Sequence, residues 1–244
     1  MADYSRDEVI ALCKRVEEIQ FFYKEPFLNR RGPRSSNKEK YSEIVAEWII
    51  DHMDKFQQIP TNHRSNSYYT KEHDGKSNRP DAHSEKQIAI KMFNQKVIPG
   101  VGVILDYQTP LKDKNSDKFG EIDLLAFDND ERILRILELK VPNSKETMLR
   151  CVMEAYTYLK QVDHKKLIED FNRDGKANIP EITPIIACPF IFRYNTDGAY
   201  SQQYQEYQEM LENRRPNLKT LMELLDIKPL IIEGSEGQYT AREL

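Results

Sequence analysis

The stretch Gly120-Glu-Ile-Asp-Leu-Leu-Ala-Phe-Asp-Asn-Asp-Glu-Arg-Ile-Leu-Arg-Ile-Leu-Glu-Leu-Lys140 decides how this chain folds. Two strongly apolar runs flank a polar turn at residues 128–131, a pattern that predicts an antiparallel β-hairpin. Each run also carries charge where a buried strand should carry none: Asp123 in the first run, and Glu138 and Lys140 in the second. Because an unpaired buried charge is costly, such groups pair with each other, bind metal or shift their pKa.

Residues two apart in a strand share a face, so the side chains of Glu138 and Lys140 are expected to point the same way. With the turn centred near residues 129–130, Asp123 is expected opposite about residue 136 and diagonal to Glu138, within reach of a shared ion. Mg²⁺ binds carboxylates, water and phosphate oxygens, and a neighbouring lysine can orient a water or stabilise charge on phosphorus. The hairpin therefore predicts a divalent-metal site for phosphodiester hydrolysis. A buried ion-pair cluster without metal is the alternative.

The rest of the chain predicts an α/β fold with a mixed central sheet. Residues 1–58 are expected to form a helical extension packed on the core, residues 59–83 a polar basic loop, and residues 84–244 the core, within one structural domain overall. The predicted helices cover 6–19, 40–58, 84–95, about 143–162, 164–172, 200–213 and 216–226. The predicted strands cover 101–109, 121–127, 132–141, 182–192 and 229–233.

Composition excludes several classes of protein. Hydrophobic residues make up 39% and charged residues 31% of the chain, and no apolar run approaches the roughly 18 residues of a membrane span. The net charge of −4 argues against a nonspecific nucleic-acid coat protein. The five histidines form no paired metal motif, and the three cysteines are widely separated, so a zinc hydrolase and a disulfide framework are not expected. These features predict a cytoplasmic protein without a membrane partner.

The motif Gly120-Glu121-Ile122-Asp123, followed by Glu138-Leu139-Lys140, resembles the PD-(D/E)XK nuclease superfamily. The likeness covers roughly residues 84–192, in the order helix, three-strand meander, helix, strand, and it lacks the usual proline before the aspartate. The resemblance implies a three-layer, restriction endonuclease-like core and a nuclease dependent on Mg²⁺ or Mn²⁺. Asp123, Glu138 and the Leu139 carbonyl would bind the metal, and Lys140 would position or activate the water.

The resemblance also implies an acidic residue on the helix before the first strand. Glu85 is the candidate, with Glu43 and Glu47 as weaker ones; a favourable interaction with the helix dipole is the alternative for Glu85. In some members of the family, a glutamine and a tyrosine on the helix after Glu-x-Lys face the site. Tyr156 matches the tyrosine here, but no glutamine precedes it.

Nucleic acid, with DNA as the expected substrate, is the predicted partner. The candidate contacts are basic or aromatic residues of the polar loop and of the helix after the hairpin: Arg64, Lys71, Arg79, Lys145, Arg150 and Tyr156. Solvated surface residues are the alternative for the basic ones. Cutting both strands would favour a homodimer. The alternative function is a catalytically inactive nuclease-fold module that binds nucleic acid or a protein partner.

Overall fold

The computed structural model describes residues 4–32, 39–78, 84–114, 116–173 and 177–243 of the 244-residue chain. The protein is a mixed α/β structure built on one seven-stranded sheet. Its α-helices are α1 Arg6–Lys14, α2 Tyr41–Asp51, α3 Met53–Gln57, α4 Glu85–Gln95, α5 Met148–Gln161, α6 His164–Arg173, α7 Gln202–Leu211 and α8 Pro216–Leu224. Its strands are β1 Val97–Ile98, β2 Gly102–Pro110, β3 Glu121–Asp128, β4 Ile133–Lys140, β5 Ile185–Phe192, β6 Leu230–Glu233 and β7 Thr240–Arg242.

The strands lie in the sheet in the same order as in the sequence. Neighbours from β1 to β4 pair antiparallel, β4, β5 and β6 pair parallel, and β7 returns antiparallel to β6. The parallel step from β4 to β5 is the crossover that contains α5 and α6. This arrangement confirms the predicted α/β class and mixed sheet.

Each face of the sheet has its own apolar core. On one face, Leu125 and Ile136 pack against α5 and the N-terminal and C-terminal helices; the core there also includes Phe127 and Leu134. On the other face, Leu124 and Leu137 pack against the apolar side of α4. The alternation along β3 and β4 therefore buries both faces of the hairpin, which explains its nearly continuous apolar sequence.

The N-terminal region is more broken than its helical periodicity predicts. The capping box at Ser5 and Glu8 is present, but α1 ends at Lys14, and two 3₁₀ helices follow, Ile19–Lys24 and Pro26–Asn29. The second predicted helix divides at His52, whose φ of −124° and ψ of 27° are not helical. A ring nitrogen of His52 lies 2.8 Å from the Trp48 carbonyl oxygen, so the side chain takes part in the hydrogen bonding at this break.

The helix after the hairpin begins later than the sequence predicts. Thr147 caps α5 by accepting a hydrogen bond from the Arg150 amide, whereas the Ser144 hydroxyl accepts from Glu146 within the preceding loop. A second amide at the start of α5, that of Met148, donates a hydrogen bond to the carboxylate of Glu206 at 2.8 Å. Caps of this kind satisfy amides that have no partner within the helix. A distant glutamate contributes to this cap, so sequence spacing alone does not locate it.

The polar loop is anchored despite its composition. Between Ile59 and Asn78, the described part of the loop contains no helix or strand. Tyr68 nevertheless donates its amide to Asp170 at 2.8 Å and accepts from the Asp163 amide at 3.0 Å. His73 lies 2.7 Å from the buried carboxylate of Asp106 on β2. Within the part of the chain that the structure describes, no helix is long and apolar enough to cross a bilayer.

We expect Thr147→Ala to destabilise the protein by about 1–2 kcal/mol, because it removes the α5 cap. It also removes a hydrogen bond from the Thr147 hydroxyl to the Leu28 carbonyl, at 2.6 Å. Ser144→Ala should cost less, since Ser144 does not cap the helix. Urea unfolding of both variants measures the difference. Equal destabilisation by the two variants would contradict this assignment of the cap.

Candidate active site

Asp123 lies directly opposite Glu138, not diagonal to it as the sequence predicts. The hairpin pairs Leu124 with Leu137 and Asp128 with Ile133, so the next pair along the ladder is Asp123 with Glu138. The expected register is wrong because the connection is a four-residue loop, residues 129–132. In this loop the Asp128 carboxylate accepts the amides of residues 130 and 131, and residue 132 has a φ of 55°. The closer pairing brings the two carboxylates together.

A pocket of about 350 Å³ opens at this end of the hairpin. The carboxyl end of β4 contributes Glu138 and Lys140, the start of β3 contributes Asp123, and the end of β2 contributes Gln108. Glu85 reaches the pocket from the first turn of α4. The remaining lining residues come from the β2–β3 loop, the start of β3, and α5 with the loop before it: Lys112, Gly120, Glu121, Glu146, Arg150, Glu154 and Tyr158.

The ammonium of Lys140 is surrounded by carboxylates. Its Nζ lies 2.7 Å from Glu138, 2.8 Å from Glu146, 3.2 Å from Glu154 and 3.6 Å from Glu85. Only 3% of the Lys140 side chain is exposed. Burial opposes the charge of this lysine, but the carboxylates outweigh it and raise its pKa well above the usual value. Lys140 is therefore held as an ammonium ion.

Two carboxyl groups in the pocket hold protons unusually tightly. Burial raises the pKa of Asp123 to about 8, even though Lys140 opposes this shift. Burial and the neighbouring Glu154 raise the pKa of Glu138 well above its usual value. Burial acts in the same direction on Glu154, but Lys140 and a hydrogen bond with Glu138 outweigh it, so the pKa of Glu154 is lowered. Glu138 thus holds its proton more tightly than the neighbouring Glu154 does.

Hydrogen bonds fix the orientation of Asp123. One oxygen accepts from the Gln108 side-chain amide at 2.8 Å, and the other accepts from the backbone amide of Leu139 at 2.9 Å. The side chain of Leu139 packs in the apolar core on the α4 face. By contrast, Oε2 of Glu138 is buried and accepts no hydrogen bond from the described residues. An orphaned buried oxygen of this kind is an available ligand or proton site.

The pocket contains residues that the sequence analysis did not identify. Gln108 has a φ of 49° near the end of β2, after a register shift between Ile104 and Asp106. This backbone irregularity directs the amide of Gln108 to Asp123. The carboxylate of Glu154 accepts a hydrogen bond from the Tyr158 hydroxyl at 3.1 Å. The spacing of residues 150, 154 and 158, which places them on one face of α5, was the available signal.

The structure brings together some of the predicted site residues and separates others. Glu85, not Glu43 or Glu47, is the acid that reaches the pocket: Glu43 accepts the amides at the start of α8, and Glu47 pairs with Arg6. Tyr156 lies in the apolar core, because a residue two positions from Glu154 points away from the site, and Tyr158 lines the pocket instead.

The predicted nucleic-acid contacts lie in different places. Arg150 lines the pocket and pairs with Glu146 at 3.0 Å. Lys145 is exposed just before α5, and Lys71 is exposed on the polar loop. Arg64 does not line the pocket: its guanidinium lies over the Tyr68 ring and donates to a carbonyl of its own loop. Arg79 lies outside the described residues.

The donor chemistry of the pocket fits a hard divalent cation, since the available ligands are carboxylate oxygens. Six carboxyl groups face three cations, Lys112, Lys140 and Arg150, and Oε2 of Glu138 accepts no hydrogen bond from the described residues. The side chains surround the lysine ammonium rather than a metal position: within the described ranges, no three His, Cys, Asp or Glu side chains form a group that could hold a metal ion. Metal binding would therefore require Asp123 and Glu138 to lose protons and turn toward the ion.

Comparison with protein-family models, with curated proteins and with solved structures finds no match to this chain. The functional argument therefore depends on the geometry and chemistry of the pocket.

We expect the backbone at Gln108 to favour glycine. Gln108→Gly and Gln108→Ala both remove the hydrogen bond to Asp123, but only glycine tolerates the left-handed conformation without strain. The glycine variant should be more stable than the alanine variant by about 1 kcal/mol in urea unfolding. At Val103, elsewhere in the same strand, the alanine variant should be more stable than the glycine variant. If the glycine variant were the more stable one at both positions, strain at Gln108 would be contradicted.

We expect Asp123→Asn to change how stability depends on pH. The folded pKa of Asp123, about 8, lies above the unfolded value, so the folded protein binds this proton more tightly. Metal-free stability should then fall as pH rises from about 4 to about 8, by up to about 1.4 kcal/mol per pH unit. The asparagine variant should lack this part of the decline. The free energy of unfolding of both proteins is measured by urea unfolding in EDTA. The same pH dependence in parent and variant would contradict the raised pKa of Asp123.

Proposed function

We propose that this protein is a divalent-metal-dependent nuclease of the PD-(D/E)XK type that hydrolyses phosphodiester bonds, with DNA as its substrate. The observation that carries the proposal is the arrangement of Asp123, Glu138 and Lys140. Asp123 lies opposite Glu138, and Lys140 follows on the same face, in an open pocket at one end of the sheet. Three ionisable groups gathered at one end of an apolar hairpin are typical of a functional site.

The order of the elements supports a restriction endonuclease-like core. Helix α4 precedes the antiparallel meander β2–β3–β4, α5 follows, and β5 returns parallel to β4. Glu85 at the start of α4 supplies the additional acid that the resemblance implies, since it lines the same pocket. Helices α4 and α5 pack on opposite faces of the sheet, so the pocket receives side chains from both helical layers.

Asp123 and Glu138 are the residues that would hold Mg²⁺ or Mn²⁺, together with the Leu139 carbonyl and Glu85. When bound, such an ion polarises water and stabilises charge on a phosphate. Lys140 remains protonated, so it acts as a hydrogen-bond donor and a positive charge, not as a general base. It would orient the attacking water or stabilise the charge that develops on phosphorus. Glu154 holds Lys140 at 3.2 Å and so limits where that charge can lie.

The ion pairs between Lys140 and its four neighbouring glutamates also support a second candidate function. A lysine paired with four glutamates can form a structural ion cluster, and buried clusters of this kind occur without catalysis. On this alternative, the chain is a catalytically inactive nuclease-fold module that binds nucleic acid or a protein partner. The excess of carboxyl groups in the pocket favours the enzyme, because a purely structural cluster gains nothing from buried carboxyl groups that no cation compensates.

A cleavage assay separates the two functions. We expect the parent protein to cut supercoiled, linear or single-stranded DNA in Mg²⁺ or Mn²⁺, and Asp123→Ala and Lys140→Ala to lower the rate at least about 100-fold. Lys228→Ala is the control, because Lys228 is an exposed lysine whose ion pair with Glu243 lies outside the pocket. RNA is tested in parallel. No cleavage by the parent, or equal cleavage by all four proteins, would overturn the enzyme proposal.

Metal binding should release protons. Below about pH 8 the metal competes with the proton on Asp123, so the Mn²⁺ affinity of the parent should rise about tenfold per pH unit for each proton released. Above that pH the dependence on Asp123 should level off. Calorimetry in buffers of different ionisation enthalpy counts the released protons, and Asp123→Asn should release fewer. Affinity independent of pH between about 6 and 8 would contradict this use of Asp123.

A further inference from the structure

Four cationic side chains from three segments gather beside the carboxylate pocket. Lys24 ends the 3₁₀ helix Ile19–Lys24, Lys112 and Lys118 lie in the loop between β2 and β3, and Arg150 lies on α5. Lys112 and Arg150 line the pocket itself. We call these four residues the basic rim.

Lys24 and Lys118, the two rim lysines that do not line the pocket, lie close together. The ammonium groups of Lys24 and Lys118 lie 5.2 Å and 5.7 Å from the centroid of the same ring, that of Phe21. Lys24 also donates a hydrogen bond to the carbonyl oxygen of Lys118. Phe21 packs edge-on against Phe119, with their centroids 5.5 Å apart, so the 3₁₀ helix and the β2–β3 loop are joined directly.

The rim is fixed to the wall of the pocket. Tyr23, next to Lys24 in sequence, packs edge-on against Tyr158, with a centroid distance of 5.5 Å. At Gly120, a Cβ atom would lie 2.1 Å from the Tyr158 hydroxyl oxygen, so the end of the β2–β3 loop approaches α5 too closely for any side chain. Tyr158 therefore links both rim segments to the helix that carries Glu154 and Arg150.

The charges of the rim are only partly compensated. Lys112 pairs with Glu121 at 2.8 Å, Arg150 with Glu146 at 3.0 Å, and Lys118 with Glu18 at 2.5 Å. The pair between Lys118 and Glu18 is exposed on both sides, at 66% and 51%, so it is weak and exchangeable.

Lys24 differs from the other three cations. Among the described residues it forms no ion pair; its contacts are a carbonyl and the rings of Phe21 and Tyr23. Partial burial, together with the nearby Lys112 and Lys118, lowers its pKa below the usual value. An anion placed at the rim would relieve this repulsion between like charges.

We propose that the basic rim binds the phosphate backbone of the polynucleotide and holds the nucleic-acid strand against the carboxylate pocket. This inference rests on the proposed nuclease function and assigns it a substrate-binding surface, part of which the N-terminal segment supplies. The physical reason is the charge of the pocket: its excess of carboxyl groups repels phosphates, so a strand that reaches it needs cations at the entrance. The rim places those cations beside the entrance.

The test is the salt dependence of DNA binding in EDTA, where no metal supports cleavage. A fluorescent DNA duplex and a single strand are titrated with the protein at several KCl concentrations. Each lysine that neutralises a phosphate contributes about 1 to the slope of log affinity against log salt. Lys24→Gln and Lys118→Gln should each lower the slope by about 1, and the double variant should lower it by roughly 2.

Matched variants separate charge from folding. Lys24→Arg keeps the charge and should keep the slope. Lys228→Gln should have no effect, because Lys228 is as exposed as Lys118 and pairs with a glutamate in the same way, but outside the pocket. Glu18→Gln should strengthen binding, since it removes the carboxylate that competes with phosphate for Lys118. Thermal midpoints verify that each variant is folded.

The outcomes distinguish the two proposals. If the double variant binds DNA with the slope of the parent, or if the parent does not bind DNA, the rim does not hold the backbone, whether or not the parent cleaves DNA. If the parent binds with a rim-dependent slope but cuts no substrate in any metal, the rim stands and the nuclease proposal fails. Competition by inorganic phosphate at equal phosphate concentration would overturn the rim proposal by indicating a site for free phosphate rather than for a strand.

Discussion

The structure is organised around the ion pairs of the buried Lys140 ammonium group. Its four carboxylate neighbours come from α4, from β4, from the loop before α5 and from α5 itself. One buried charge therefore joins the sheet to helices on both of its faces. A cluster of this kind adds little net stability, because desolvation offsets the attraction. It does define position, since moving any one member leaves another buried charge without its partner.

The acid excess around that lysine links the architecture to the proposed chemistry. Six carboxyl groups and three cations cannot all be ionised in a buried pocket, so Asp123 and Glu138 hold their protons more tightly than usual in the metal-free protein. A divalent ion would replace those protons with charge that can also act on a substrate. The pocket thus has an energetic reason to bind a cation, and Lys140 has a reason to remain protonated beside it.

The sequence was sufficient to predict what depends on local pattern. Alternating apolar residues located β3 and β4, and charge within those runs located Asp123, Glu138 and Lys140. It was insufficient where a residue's role depends on distant structure. Gln108 reaches Asp123 only because β2 is irregular. Glu154 enters the pocket only because α5 packs against the end of β4, where the Cys151 thiol lies 3.7 Å from the Glu138 carbonyl oxygen. The predicted pairing of the hairpin was wrong, because Asp123 lies opposite Glu138 and not opposite residue 136. That register depends on the conformation of the four-residue loop 129–132.

The N-terminal segment bears on the site through α5. The Thr147 hydroxyl at the start of this helix donates to the Leu28 carbonyl, and the Gln161 side chain at its end donates to the Gln20 carbonyl at 3.0 Å. Both ends of the helix that carries Glu154 and Tyr158 are therefore tied to residues before position 30. The same segment supplies Lys24 to the rim. Because this segment positions the wall of the pocket and also carries a cation at its entrance, the two 3₁₀ helices, Ile19–Lys24 and Pro26–Asn29, are better regarded as part of the site than as an accessory to the core.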